Sequence, residues 1–260
     1  MPIDQDKRFR RIKKKVGQAI GQFDLIEHGD RIAVAVSGGK DSLTLLHILA
    51  ALQKRAPIDY ELIPVTVDPG FEGFDTEGIR NYLLEEGFAP HVEASDAAAI
   101  IETRRRTGSS YCAFCARLRR GVLYTLADRL GCNKLALGHH LDDFIETLLL
   151  NQFYGGSLKG MSPRLLADNG RHTVIRPLVF VEEEEIIDFA SHNEMPTVGC
   201  SCAFAACFDL NRQRMKQLIA ALQKDIPDIR SSLIGAMGNL EPRHLLDPRF
   251  NPFLNKNEKT

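Results

Sequence analysis

No apolar run in the 260 residues approaches the roughly 20 that a membrane-spanning helix requires, so no membrane association is expected. Residues 1–15 are basic but have no apolar stretch behind them. They do not read as a secretory signal, and a cytoplasmic location is expected. The chain contains no internal repeat and no low-complexity tract. Neither sign of charge prevails: 33 Lys and Arg stand against 34 Asp and Glu, a net charge of -1, so the overall balance alone does not point to nucleic acid. A disulfide framework is not expected either, because cytosolic thiols stay reduced.

What is present is an ordinary globular composition, 44% hydrophobic and 26% charged, in a chain long enough to bury a full core. Apolar positions Ile12, Val16, Ile20 and Phe23 recur every three to four residues and predict a helix over 8–28. Short β-type runs follow at 31–36, 60–67, near 91–93 and at 134–138. Helical patterns intervene from Leu43, over 76–86, over 117–130 after a cysteine-rich turn, and over 142–153. Alternation of this kind predicts an α/β fold with a doubly wound parallel sheet, whose ligands sit at the carboxyl ends of the strands. From about residue 155 the pattern changes to loops and short helices. The expected organisation is a basic N-terminal helix (1–28), a nucleotide-binding α/β domain (29–180) and a C-terminal segment (181–260).

Charge and cysteine are unevenly placed. Lys7, Arg8, Arg10, Arg11, Lys13, Lys14 and Lys15 form one basic block; Arg104, Arg105, Arg106, Arg117, Arg119 and Arg120 form another around a Cys-x-x-Cys. Such blocks suit a phosphate-binding surface, and they equally suit a solvated helix face. Acidic residues gather at 182–185. Five of the six cysteines fall in two groups, Cys112/Cys115 and Cys200/Cys202/Cys207, which reads as metal or redox chemistry. Cys132 and Cys207 are expected to be structural.

Ser37, Gly38, Gly39, Lys40, Asp41 and Ser42 lie between a predicted strand and a predicted helix. The glycines let backbone approach an anion, the helix N–H groups face it, and Lys40 adds charge. A plain strand–helix turn is the alternative. Spacing separates this loop from G-x-x-x-x-G-K-[ST]. Asp142 and Asp143 open a helix after Gly138, where they either orient a substrate or metal or simply cap the helix.

The run Ser-Gly-Gly-Lys-Asp-Ser after an apolar strand resembles the signature of the PP-loop ATP pyrophosphatases. The resemblance implies cleavage of ATP between its α and β phosphates, with Mg2+, to adenylate a substrate oxygen. It places Asp68 and Gly138 near the nucleotide, with Lys40, Asp41, Asp142 and Asp143 in catalytic roles. Tyr111-Cys112-Ala113-Phe114-Cys115 with Arg117-Leu118-Arg119-Arg120, Phe153-Tyr154-Gly155-Gly156, Ile175-Arg176-Pro177-Leu178 and the run at 238–245 resemble the tRNA 2-thiocytidine synthetases. That likeness implies a [4Fe–4S] cluster on Cys112, Cys115 and a third cysteine, Cys200 by register with Cys202 as the runner-up. It implies sulfide held on the cluster as the donor to an adenylated cytidine 32. It also implies a cysteine desulfurase as upstream partner, a homodimer, and tRNA gripped by Arg117, Arg119, Arg120, Lys13 and Lys14. Two other readings stand beside it: a PP-loop tRNA thiolase making 2-thiouridine, and a non-catalytic tRNA-binding module braced by zinc on Cys112, Cys115, Cys200 and Cys202.

Overall fold

The computed structural model describes residues 6–104, 111–168, 170–196 and 210–250. Strands β1 (Arg31–Ala35), β2 (Glu61–Asp68), β3 (His91–Ala94), β4 (Lys134–Ala136), β5 (Arg164–Leu166) and β6 (Thr173–Ile175) form one sheet in the order β3-β2-β1-β4-β6-β5. All pairings are parallel except that of β5 with β6. The helices are α1 (Lys7–Phe23), α2 (Lys40–Gln53), α3 (Thr76–Glu85), α4 (Ala97–Arg104), α5 (Tyr111–Arg129), α6 (Leu141–Gly155), α7 (Glu183–His192), α8 (Leu210–Asp225) and α9 (Ile229–Met237).

The central strands are apolar on both sides because both sides are covered. In β1, Ile32 and Val34 join the core formed with α1, α2, α3 and α7, among Phe9, Ile12, Leu46 and Phe189. Ala33 between them faces the opposite core, where Leu123, Leu126 and Ala127 of α5 meet Val65, Leu135 and Val174. A third, smaller cluster joins Leu141, Ile145 and Leu149 of α6 to Met215 and Ile219 of α8.

Several boundaries differ from expectation, each for a physical reason. Helix α1 stops at Phe23 rather than at 28, because Asp24 turns left-handed (φ 49°) and the buried Leu25 and Ile26 feed β1. The expected cysteine-rich turn is instead the start of α5, so positions 112 and 115 lie in that helix's first two turns. The stretch after 155, expected to be loops and short helices, contributes β5 and β6 to the sheet and the long helix α8.

Three of the seven basic residues of the N-terminal block pair with acidic residues of α7. Arg11 and Lys15 reach Glu185 at 2.5 and 2.6 Å, and Arg8 reaches Asp188 at 2.7 Å, zipping α1 to α7. Lys13 lies over the Phe9 ring, 5.5 Å from its centroid, and Lys14 is exposed.

At the amino ends of the central strands, opposite the nucleotide-type loop, the buried Lys134 ammonium meets Asp30 at 2.7 Å, Glu27 at 2.8 Å and the Leu25 carbonyl at 3.1 Å. Removing one member of such a pair leaves a buried, uncompensated charge. Lys134→Met is therefore expected to cost about 3–5 kcal/mol, lowering the melting temperature by roughly 10 °C for a chain of this size. A thermal scan showing a shift under about 2 °C would contradict this role.

Candidate active site

Strand order reverses beside β1, whose neighbours are β2 on one side and β4 on the other, and the loops that leave β1 and β4 diverge there. A crevice at such a switch point is where open α/β sheets bind ligands. The residues from Ser37 to Ser42 leave β1, and Gly138 to Asp143 leave β4, so both expected motifs meet at one place.

The first loop is held by its own serines. The Ser37 N–H donates to Ser42 Oγ (3.1 Å), and the Ser42 hydroxyl donates to the Gly39 carbonyl (2.9 Å). Gly38 takes φ +79°, a conformation that side-chain-bearing residues rarely adopt. Gly39 is the N-cap of α2 and has no capping side chain, which leaves the helix N–H groups open toward the crevice. Gly138 sits directly against this turn: a Cβ there would lie 3.1 Å from Asp41 C and from Ser42 N. That contact fixes the distance between the two motifs.

A cleft of about 490 Å³ opens over these elements. Ser37, Asp41, Ser42, Gly138 and Asp143 line it, apolar Val65, Val67, Phe74, Leu123 and Met161 form walls, and Arg119, Arg120 and Arg176 supply positive charge. One helical turn separates position 115 from Arg119, so the backbone of the Cys-x-x-Cys lies roughly 6 Å further along the α5 axis. Arg117 is exposed on the same helix. Cys200, Cys202 and Cys207 lie outside the described residues.

His139 and Arg176 form one face of the cleft. Arg176 Nε–H donates to His139 Nδ1 at 3.3 Å, and its other nitrogen donates to the Ser162 carbonyl at 2.6 Å. Burial pushes the His139 imidazole well below its ordinary range, and an accepting Nδ1 fits the same neutral ring.

Three of the expected residues are placed differently from their neighbours. Asp68 closes its own turn, accepting from the Gly70 N–H (2.8 Å) and from Thr76 Oγ1 (2.6 Å), and is not among the described residues lining the cleft. Asp142 ties three elements together, accepting from the Glu183 N–H at 2.8 Å and from Arg230 Nε at 2.9 Å. Asp143, by contrast, faces the cleft while pairing with Arg212 at 3.0 Å. Lys40 does not line the cleft; its ammonium lies between Asp41 (3.0 Å) and Glu183 (3.2 Å). Burial alone would depress this amine, but the two carboxylates outweigh it and raise its pKa.

Behind the loop is a second, polar cavity of about 370 Å³, lined by His140, Glu146, Glu183, Arg212, Gln213 and Lys216 together with Asp41 and Asp143. Asp41 and Asp143 thus belong to both spaces. Glu146 is fully buried, and neither oxygen has an aligned hydrogen bond, although Arg212 Nε lies 3.2 Å away. Burial pushes its carboxyl up to about 7, against the pull of Arg212 and Lys216. A raised carboxyl favours folding most at low pH and loses that contribution as pH rises through about 7. Glu146→Gln, which cannot ionise, should therefore gain melting temperature relative to the parent as pH is raised from about 5 to about 8. A difference between the two nucleotide-free proteins that stays flat over that interval would contradict the assignment.

The hard oxygens of Asp41 and Asp143 suit magnesium, which takes one or two carboxylates and completes its shell with water and substrate phosphates. Among the described residues, no group of three His, Cys, Asp or Glu is placed to hold a metal ion. No helix is long and apolar enough to cross a membrane among the described residues.

Residues 8–216 match the model of the PP-loop domain. Over 253 residues the chain is 64% identical to the tRNA-cytidine(32) 2-sulfurtransferase of Syntrophotalea carbinolica, covering 97% of this chain and 98% of the relative. It is 62% identical to the enzyme of the same name from Geobacter sulfurreducens, over 92% and 93%. This chain belongs to the PP-loop tRNA-cytidine(32) 2-sulfurtransferases. Among solved structures, the U34-tRNA thiolase NcsA from Methanococcus maripaludis with its [4Fe-4S] cluster superposes with a TM-score of 0.73 at 25% identity, covering 91% of this chain and 82% of that one. The NH3-dependent NAD synthetase of Campylobacter jejuni shares the fold alone, with a TM-score of 0.50 at 16% identity over 97% and 98%. The residues from Ser37 to Ser42 and from Gly138 to Asp143, which meet at the cleft, fall within the span matched by the PP-loop domain model.

Sequence reasoning missed Glu183, Arg212, Lys216, Glu146 and Arg176 as parts of this site. Arg176 lies in one of the runs that carry the family resemblance, and the acidic run at 182–185 was visible, but neither signal gave a partner.

Proposed function

We propose that this protein converts cytidine 32 of tRNA to 2-thiocytidine, using ATP to activate the base. The observation that carries the reading is the joint cleft, in which the phosphate loop, Asp143 and the arginines of α5 line one space. The adenine nucleotide lies along the loop, with its phosphates toward the Ser37 and Ser42 hydroxyls and the α2 N-terminus. The O2 oxygen of the flipped-out base attacks the α-phosphorus and pyrophosphate leaves. Sulfur then adds at C2, and AMP departs carrying the former O2. Ser37 and the helix N-terminus stabilise the charge that builds on the phosphates, with the Lys40 ammonium beside the loop adding positive field, while Asp41 and Asp143 hold magnesium. Arg117, Arg119 and Arg120, with exposed Lys14 and the more enclosed Lys13, contact the tRNA backbone.

The thiolate pair Cys112 and Cys115, with Cys200 as the third, suits an iron–sulfur cluster as a soft-donor set. When bound, a [4Fe–4S] cluster with one iron lacking a protein ligand supplies the position at which sulfur is presented to the base. The placement of Cys112 and Cys115 on the same helix as Arg119 and Arg120 supports delivery into the cleft. Relatives above 60% identity act on cytidine 32 by name, whereas the uridine thiolase stands at 25%, so cytidine is the favoured base.

The test uses α-labelled ATP with the cluster-loaded protein, tRNA and sulfide. AMP should form about one for one with 2-thiocytidine. ADP as the nucleotide product would overturn the reading.

A further inference from the structure

We infer that Glu183, anchored by Lys216, is a positioning residue for Lys40, the phosphate-loop lysine; the inference rests on the ATP-site reading above. The geometry is a three-element relay. One Glu183 oxygen lies 3.2 Å from the Lys40 ammonium, and the other accepts from Lys216 at 2.6 Å. The Glu183 backbone N–H donates to Asp142 at 2.8 Å, so both ends of this residue are fixed to other parts of the site.

Asp41, the other partner of Lys40, is its chain neighbour and moves with it, so it cannot by itself set where the ammonium lies. Glu183 comes from α7, 143 residues away, and its anchor comes from α8. A lysine side chain is a flexible four-carbon stem carrying about 2 kcal/mol of rotamer entropy. Holding the ammonium beside the loop before nucleotide arrives removes part of that disorder from the reaction, which is how preorganisation raises a rate. Consistent with a persistent charge at this point, Lys216 and Lys40 outweigh burial and hold the Glu183 carboxyl at about 2, ionised at any working pH.

Glu183→Gln keeps the length and the backbone bond to Asp142 while removing the charge. It is expected to lower kcat for ATP-dependent thiolation by about 10- to 100-fold, the range for losing a hydrogen bond to a charged group. The KM for ATP should stay within about 3-fold. Glu183→Asp should recover part of the rate. In single-turnover reactions, Lys40→Ala/Glu183→Gln should be no slower than Lys40→Ala alone, because Glu183 acts through Lys40. Lys216→Met gives an independent check, with a smaller loss that is also absent in the Lys40→Ala background. A Glu183→Gln enzyme within about 2-fold of the parent, or losses that multiply in the double variant, would overturn the inference. A Lys40→Ala protein with undiminished ATP cleavage would instead overturn the ATP-site reading itself.

Discussion

Alanine at position 138 is expected to lower the rate of ATP-dependent thiolation by about 10²-fold or more, with the loss falling on nucleotide binding as well as on turnover. The added methyl would stand 3.1 Å from two backbone atoms of the first turn of α2, closer than most Cβ contacts allow. Neither atom belongs to a flexible side chain, so the turn itself must give way. The parts displaced are Asp41 and Ser42, which line the cleft. A misplacement on the order of 1 Å costs about 10²-fold in a preorganised site. Global stability should change little, because the strain is confined to one contact between two turns at the carboxyl ends of the strands. Nucleotide titration beside a thermal scan separates the two effects. Unchanged ATP affinity with unchanged turnover would show that the two motifs need not touch.

Serine at position 112 should do the opposite: thiolation falls below about one thousandth of the parent while ATP affinity stays within about 3-fold. Serine is close in size but offers a hard hydroxyl in place of a soft thiolate, so a cluster loses one of its three protein ligands. Most cleft-lining residues come from β1, β2, α2, the turn after β4 and α6; those of α5 are Arg119, Arg120 and Leu123, and Arg119 lies two helical turns beyond position 112. Iron content and the visible absorption of the anaerobically purified variant should fall together with activity. Retained 2-thiocytidine formation would remove Cys112 from the cluster.

The elements legible from sequence were those whose pattern is local. An apolar pentad just before two glycines reads as a strand entering a tight turn, and β1, the loop and α2 follow that reading. β5 and β6 escaped because each is three residues long, and every residue of β5 is exposed, leaving no alternation to detect. The start of α5 was hidden by its cysteines, which suggest a metal-binding turn, whereas the backbone there is helical. Least legible were the long-range charge pairs. Nothing in the block from Lys7 to Lys15 announces that Arg8, Arg11 and Lys15 are matched by Glu185 and Asp188 of α7. Likewise, the partners of Asp143, Glu146 and Glu183 sit on α8 and become visible only once α6, α7 and α8 are packed together. Chemistry carried by a motif is readable along the chain; chemistry set by distant counter-charges is not.

The proposed product of this chain is 2-thiocytidine in tRNA. Mass spectrometry of nucleosides from digested tRNA, taken from cells with and without the gene, tests it most directly. 2-Thiocytidine should disappear without the gene and return with the intact copy, while other thionucleosides stay constant. Undiminished 2-thiocytidine in cells lacking the gene would contradict it.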